Sequence, residues 1–416
     1  MNLLIRGARV LTIASGPSGA LRGRDLGDLG VLPAADVLVD GGKIVGVSAT
    51  GATAPRADRT IEAAGRVLMP AFVDGHTHAC WAGDRLDEWQ MKLRGVAYLD
   101  ILRAGGGIMS SVRAVRAASQ HELEEALRER LGAFLTQGTT TIEIKSGYGL
   151  STEGELRMLR AVASVRSRWP GTIVGTALLG HAIDPDIPDF IDRTINETLP
   201  AVHAEFPGIA VDAFCEKGAW SLEQCVRLFE RARALGHPIR VHADQFNSLG
   251  MVEEAVRLGA VSVDHLEVTT PEDAARLGAS ETFGVALPCC GLHLGTASGG
   301  QWANLRRIVD ASSTSGGGKV AIATNCNPGS SPTMSMPLAI ASAVRFCGLT
   351  PGEAIAAATR NPAALLGLTD RGAIAPGLRA DLVLLRHRDE RNLAFELGGN
   401  PVDVVICGGR TFPACP

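Results

Sequence analysis

Two histidines one residue apart, His76 and His78, stand in the stretch "VDGHTHACWAGDR" (73–85) of a chain that has only ten histidines in 416 residues. Side chains alternate along a strand, so both imidazoles face the same side of it. Two imidazoles on one face can chelate one divalent ion, although an isolated pair also suits two hydrogen-bonded histidines in a turn. Three more histidines favour the metal. His181 closes "TALLGH", His242 sits near the end of "IRVH", and His265 closes "SVDH". Each stands at the end of an apolar strand-like segment. If those segments line a barrel, five of the ten histidines converge on one mouth. His121, His203, His237 and His387 fall in helices or turns and read as solvated surface, and His293 lies in an unassigned loop.

The elements that would position these side chains recur along the middle of the chain. Strand candidates are "LMPAFVDGH", "TTIEIKS", "TIVGTALLGH", "VDAFCE", "IRVHADQ", "VSVDHLE", "GVALPC" and "VAIATN". Amphipathic stretches such as "QHELEEALRERLGAFLTQG" and "SLEQCVRLFERARALGH" separate them. Alternating strands and helices imply right-handed parallel units, and eight of them predict an α/β fold of the (β/α)8 TIM-barrel type over residues 69–368. A doubly wound sheet is the other closure, but no "GxGxxG" follows the first strand. Both ends differ from the middle: "NLLIRGARVLTI", "DVLVDGGKIVGVSA", "ADLVLLR" and "DVVICGGRTF" join β-rich runs through glycine turns. They predict a small β-sandwich domain built from residues 1–68 and 369–416.

Composition narrows the function. The chain is 46% hydrophobic and 20% charged, enough to bury a large core. Its net charge of −4 argues against nucleic acid or an anionic membrane as partner. The nine cysteines, an odd number with no zinc-ribbon spacing, read as reduced thiols of a cytoplasmic protein. The vicinal Cys289 and Cys290 read as inert packing at a strand end. The N-terminus is a poor signal peptide, and no apolar run approaches the ~18 residues of a membrane helix.

"FVDGHTHACWAGDR", "GVAYLDILRAGGGIMSSVRAVRAAS", "TTIEIKSGYGL", "VDAFCEKGAWS", "HADQ", "DHLE" and "NPGSSPTMSM" together resemble the metal-dependent amidohydrolases, and most closely their imidazolonepropionase family. The resemblance runs from about residue 66 to 367. It implies hydrolysis of a cyclic amide, 4-imidazolone-5-propanoate to N-formimidoyl-L-glutamate, in histidine degradation. It also implies one divalent metal, zinc ahead of iron, held by His76, His78, His242 and position 325, and a homodimer. His265 would hold the attacking water or the oxyanion, Gln245 would recognise the amide, and His181 would join both catalysis and substrate binding. Arg85 would take the substrate carboxylate bidentately. Tyr98 and Tyr148, the only two tyrosines, would rim the mouth, and Lys145 would support the Tyr148 loop. Two glycine-bearing loops, 104–108 and 327–331, would offer backbone N–H groups to an anion, with Asn327 and Gly329 on the substrate.

Two positions depart from the family. The stretch "LPCCGLHLGTASGG" lacks the family's aromatic-containing segment, which leaves open a related cyclic amidohydrolase or deaminase acting on another imidazolone-like ring. Asn325, in "IATNCNPGSS", replaces an Asp that in the family ligates the metal and takes the proton of the attacking water. That leaves open an introduced substitution or a catalytically impaired binding relative.

Overall fold

The computed structural model describes residues 2–16, 18–51, 57–96, 100, 106–295, 301–311 and 316–414. Eight parallel strands form the centre in chain order: Phe72–Asp74, Thr139–Lys145, Thr172–Gly180, Ala210–Cys215, Ile239–Ala243, Ser262–His265, Phe283–Ala286 and Val320–Ile322. All eight strand candidates are thus barrel strands. The first candidate is shortened, because "LMPAFVDGH" divides at Ala71. Val67–Pro70 pairs with the terminal sheet, and only Phe72–Asp74 joins the barrel.

The first and last barrel strands are three residues each, and their ladder is not continuous. Closure comes just beyond their ends. The Asn325 N–H donates to the His76 carbonyl at 3.1 Å, and the His78 N–H donates to the Cys326 carbonyl at 2.9 Å. The Asp74 carboxylate accepts the Thr324 N–H and hydroxyl at 3.2 and 2.6 Å. The seam of the barrel therefore ties the histidine pair directly to the segment carrying Asn325.

Helices cover the barrel where the sequence supplies both an apolar face and a start signal. Gln120–Thr136 buries Leu123, Leu127, Leu131 and Phe134, and Ser119 with Glu122 forms a capping box at its start. Ser221 and Gln224 do the same for Leu222–Ala234. Among the described residues, no helix is long and apolar enough to cross a membrane.

The eight terminal strands, Leu3–Leu11, Val31–Asp40, Lys43–Ala49, Arg59–Glu62, Val67–Pro70, Leu382–Leu385, Val402–Cys407 and Arg410–Pro413, hydrogen-bond into one sheet. The expected sandwich is thus one hydrogen-bonded sheet. Ile5, Val10, Val37, Ile44, Leu68, Leu384 and Ile406 form its buried core cluster, and the Ile44 N–H reaches the Leu378 carbonyl at 2.9 Å.

Candidate functional site

His76 and His78 lie just past the first barrel strand, His181 just past the third, and His242 and His265 at the ends of the fifth and sixth. The barrel brings all five together: His242 has ring centroids 4.4 Å from His76, 5.3 Å from His78, 6.2 Å from His181 and 5.6 Å from His265. All five are buried. Burial, with the Lys145 cation adding to it, holds His76 and His78 well below the usual imidazole range, and burial sets His181 at about 3. These rings are therefore neutral near pH 7 and offer lone pairs.

The tautomers follow from the carboxylates behind them. His76 donates Nδ1–H to Asp264 at 2.6 Å, and His242 donates Nδ1–H to Asp212 at 3.0 Å. Both Nε2 atoms then carry lone pairs. The His76 Nε2 is buried without a partner, and the His242 Nε2 lies 3.3 Å from the His78 Nε2. At that distance either one of the two nitrogens carries a proton or a cation lies between them. The spacing matches two nitrogens each about 2.0–2.1 Å from one ion. The donor set of His76, His78 and His242 therefore fits a divalent metal.

A charged layer packs beneath the imidazoles. Lys145 bridges Glu143 and Asp212 at 2.8 Å each, and Arg240 reaches Asp264 at 2.8 Å. All five side chains are buried. Lys145 thus reaches His242 through Asp212, a link the expected role at the Tyr148 loop did not include. Asp212 and Asp264 are residues that sequence reasoning missed. Their signal was a carboxylate inside a strand otherwise apolar, in "VDAF" and "SVDH".

Asn325 lies on the seam with φ 55°, and its side-chain oxygen is buried without a partner. His265 and Leu266 have φ of 92° and 70°, a cost of order 1–3 kcal/mol each that concentrates strain at the mouth. His265 turns Nδ1 to Glu267 at 3.1 Å, another residue not anticipated. Gln245 donates to the Cys290 sulfur at 3.4 Å. Cys290 and its neighbour Cys289 sit on a helix, Pro288–Leu294, that also carries His293 in its last turn. Burial, followed by Glu267, pushes the Cys290 thiol up to about 12.

A cavity of about 190 Å³ opens over the imidazoles, lined by His78, Tyr148, His181, His242, Gln245 and His265. Arg85, Lys92, Asn325, Asn327, Gly329 and Ser330 also line it. The Tyr148 ring packs 5.1 Å from His181. Arg85 pairs with Glu88, its Nε donating at 2.8 Å. A Cβ on Gly329 would fall 2.3 Å from the Arg85 Nη1, so a side chain there would have to displace the guanidinium. Asn327 turns its side chain to its own loop, accepting the N–H groups of Gly329 and Ser330 at 2.8 Å each and donating to the Asn325 carbonyl at 2.6 Å. The N–H of Gly107, in the other glycine loop, donates to the Glu88 carboxylate at 2.8 Å. Both loops therefore donate to protein oxygens. Tyr98 lies outside the described residues. His237 departs from its expected solvated place: it is buried, donating Nδ1–H to the Ile209 carbonyl at 2.7 Å and leaving Nε2 to accept from His203 at 3.0 Å.

The sequence pattern of the amidohydrolase family matches residues 67–412. The imidazolonepropionase of Herpetosiphon aurantiacus is 45% identical over 411 residues, covering 96% of this chain and 94% of the relative. That of Deinococcus radiodurans is 43% identical over 397 residues, covering 95% and 96%. Among solved structures, 5-methylcytosine deaminase from Klebsiella pneumoniae liganded with 5-fluorocytosine is similar with a TM-score of 0.75 at 16% identity, over 100% of this chain and 98% of that one. An adenosine deaminase from Xanthomonas campestris with bound zinc has a TM-score of 0.67 at 20% identity, over 98% and 92%. At such identities the two structures share the fold alone. The family pattern and the near full-length relatives agree, and the chain belongs to the amidohydrolase family, among the imidazolonepropionases.

Proposed function

We propose that this chain, a hydrolase of a cyclic amide C–N bond, opens 4-imidazolone-5-propanoate with water to N-formimidoyl-L-glutamate. It would do so as a cytoplasmic homodimer, with the barrel of 69–368 set on a domain built from 1–68 and 369–416. The observation that carries this reading is the three-imidazole cluster of His76, His78 and His242 in a cavity that also holds Arg85. A bound divalent ion, zinc in our assignment, supplies Lewis acidity and brings the pKa of a coordinated water toward ~7.

The chain's own groups share the remaining chemistry. Asp212 and Asp264 hold the N–H tautomers that leave the Nε2 lone pairs of His242 and His76 free. Glu267 holds the His265 proton at Nδ1, so its Nε2 serves the water or the oxyanion. Gln245 offers its amide to the ring, with His181 and Tyr148 packed against the ring's face. Arg85 holds the substrate carboxylate, beside the loop that Asn327 and Gly329 shape. Asn325 supplies a neutral oxygen on the seam, where a carboxylate would also take a proton.

The test is purified protein, loaded in turn with zinc and with iron, incubated with 4-imidazolone-5-propanoate and read by mass spectrometry for N-formimidoyl-L-glutamate. Metal-loaded protein that leaves this compound intact while deaminating a pyrimidine or purine base would overturn the reading.

A further inference from the structure

Glu88 is the centre of a compact ionic cluster whose two cations, Arg85 and Lys92, line the cavity. It is 7% exposed and accepts from Arg85, from the Lys92 Nζ at 2.8 Å and from the Gly107 N–H at 2.8 Å. Arg85 and Glu88 form a bidentate pair, and such a pair carries no net charge. An anion held by that pair alone would meet a guanidinium already matched to a carboxylate. Lys92 changes the balance. It lies one turn further along the helix Leu86–Leu93, shares Glu88 with Arg85, and leaves the cluster with one positive charge in excess. Both cations line the 190 Å³ cavity. The Arg85 guanidinium lies against Gly329, where an added Cβ would come within 2.3 Å of its Nη1. The Lys92 side chain is 29% exposed.

We propose that Lys92 is a substrate-binding residue, the second cation at the carboxylate end of the site, held beside Arg85 by their common partner Glu88. This rests on the reading of Arg85 as the carboxylate anchor. An ammonium on a flexible stem adds charge without fixed geometry, whereas the guanidinium sets direction. The two cations therefore play different parts. Arg85 orients the carboxylate, and Lys92 supplies the unmatched charge.

The experiment compares 3-(imidazol-4-yl)propanoate with its carboxamide, binding measured by calorimetry on the metal-loaded protein. Lys92→Met should reduce the preference for carboxylate over carboxamide by about threefold or more, as loss of a partly screened ionic contact predicts. Affinity for the carboxamide and metal content should stay as in the unaltered protein. Lys92→Arg keeps the charge and should keep the preference. A change below about threefold in Lys92→Met, an equal loss for both compounds, or a Lys92→Arg variant as weak as Lys92→Met overturns the proposal. Arg85→Ala separates the two readings. If it loses the preference while Lys92→Met keeps it, only the role of Lys92 falls. If Arg85→Ala keeps the preference, the carboxylate reading of this end of the cavity fails as well.

Discussion

Asn325→Asp changes charge and proton affinity at the seam while leaving shape almost untouched. The φ of 55° is one that Asp tolerates as well as Asn. The backbone there is held from both sides, its N–H by the His76 carbonyl at 3.1 Å and its C=O by the Asn327 side chain at 2.6 Å. The side-chain oxygen is already buried and unpartnered, so no existing hydrogen bond of that atom is lost. What the carboxylate adds is an acceptor for the proton of the attacking water. A positioned general base typically contributes ~10²–10⁴ in rate, about 3–5 kcal/mol of barrier. The expected result is a rise in kcat of that size with little change in KM, since the carboxylate-binding end is untouched. The assay follows loss of the imidazolone chromophore at metal contents matched by elemental analysis. A fully metal-loaded Asn325→Asp protein whose kcat rises less than about tenfold would refute the reasoning and place the base elsewhere.

Replacing His78 by Ala should remove most of the metal without unfolding the chain, because it deletes one of three converging donors; full occupancy by elemental analysis would exclude the assignment. Asp212→Asn, which releases His242 from its orientation, should weaken metal affinity about 10–100-fold in a chelator competition. Glu88 governs acid stability: burial would raise its carboxyl, but Arg85 and Lys92 outweigh burial and hold it at about 2, below the ordinary 4.5. Its contribution is present above pH about 4.5 and is lost as the pH falls toward 2. Denaturant unfolding of Glu88→Gln should therefore differ from the unaltered chain more at pH 7 than at pH 3, and an equal difference at both would contradict the ion-pair account.

The barrel was legible because its strands are buried on both faces and read as short apolar runs between amphipathic stretches. Boundaries were less so. Pro70 ends one strand and Phe72 begins another, and only the partner sheets distinguish them, a long-range fact. The stretch at 288–294 reads as loop because of its glycine, yet it is helical. A Cβ at Gly291 would lie 2.3 Å from the Trp302 indole nitrogen, so the glycine answers a neighbour eleven residues away rather than a turn. His237 failed for the same kind of reason: its partners, His203 and Ile209, belong to other elements.

The site divides along the same physical line. Histidines are rare, and a rare ligating residue at the end of an apolar strand is informative by position alone. The carboxylates behind them are informative too, because an unpaired charge inside a strand buried on both faces would be prohibitively costly. Glu143, Lys145, Asp212, Arg240 and Asp264 could be placed together on that ground before any distance is known. The carboxylate end carries no such signal. Glu88 and Lys92, four residues apart in "LDEWQMKL", look like a solvated helix pair worth a few tenths of a kcal/mol. What makes them more is the approach of Gly107 from another loop, whose N–H donates to a Glu88 carboxylate that is 7% exposed. Chemistry that depends on desolvation is written in the strands; chemistry that depends on which loops meet is written only in the fold.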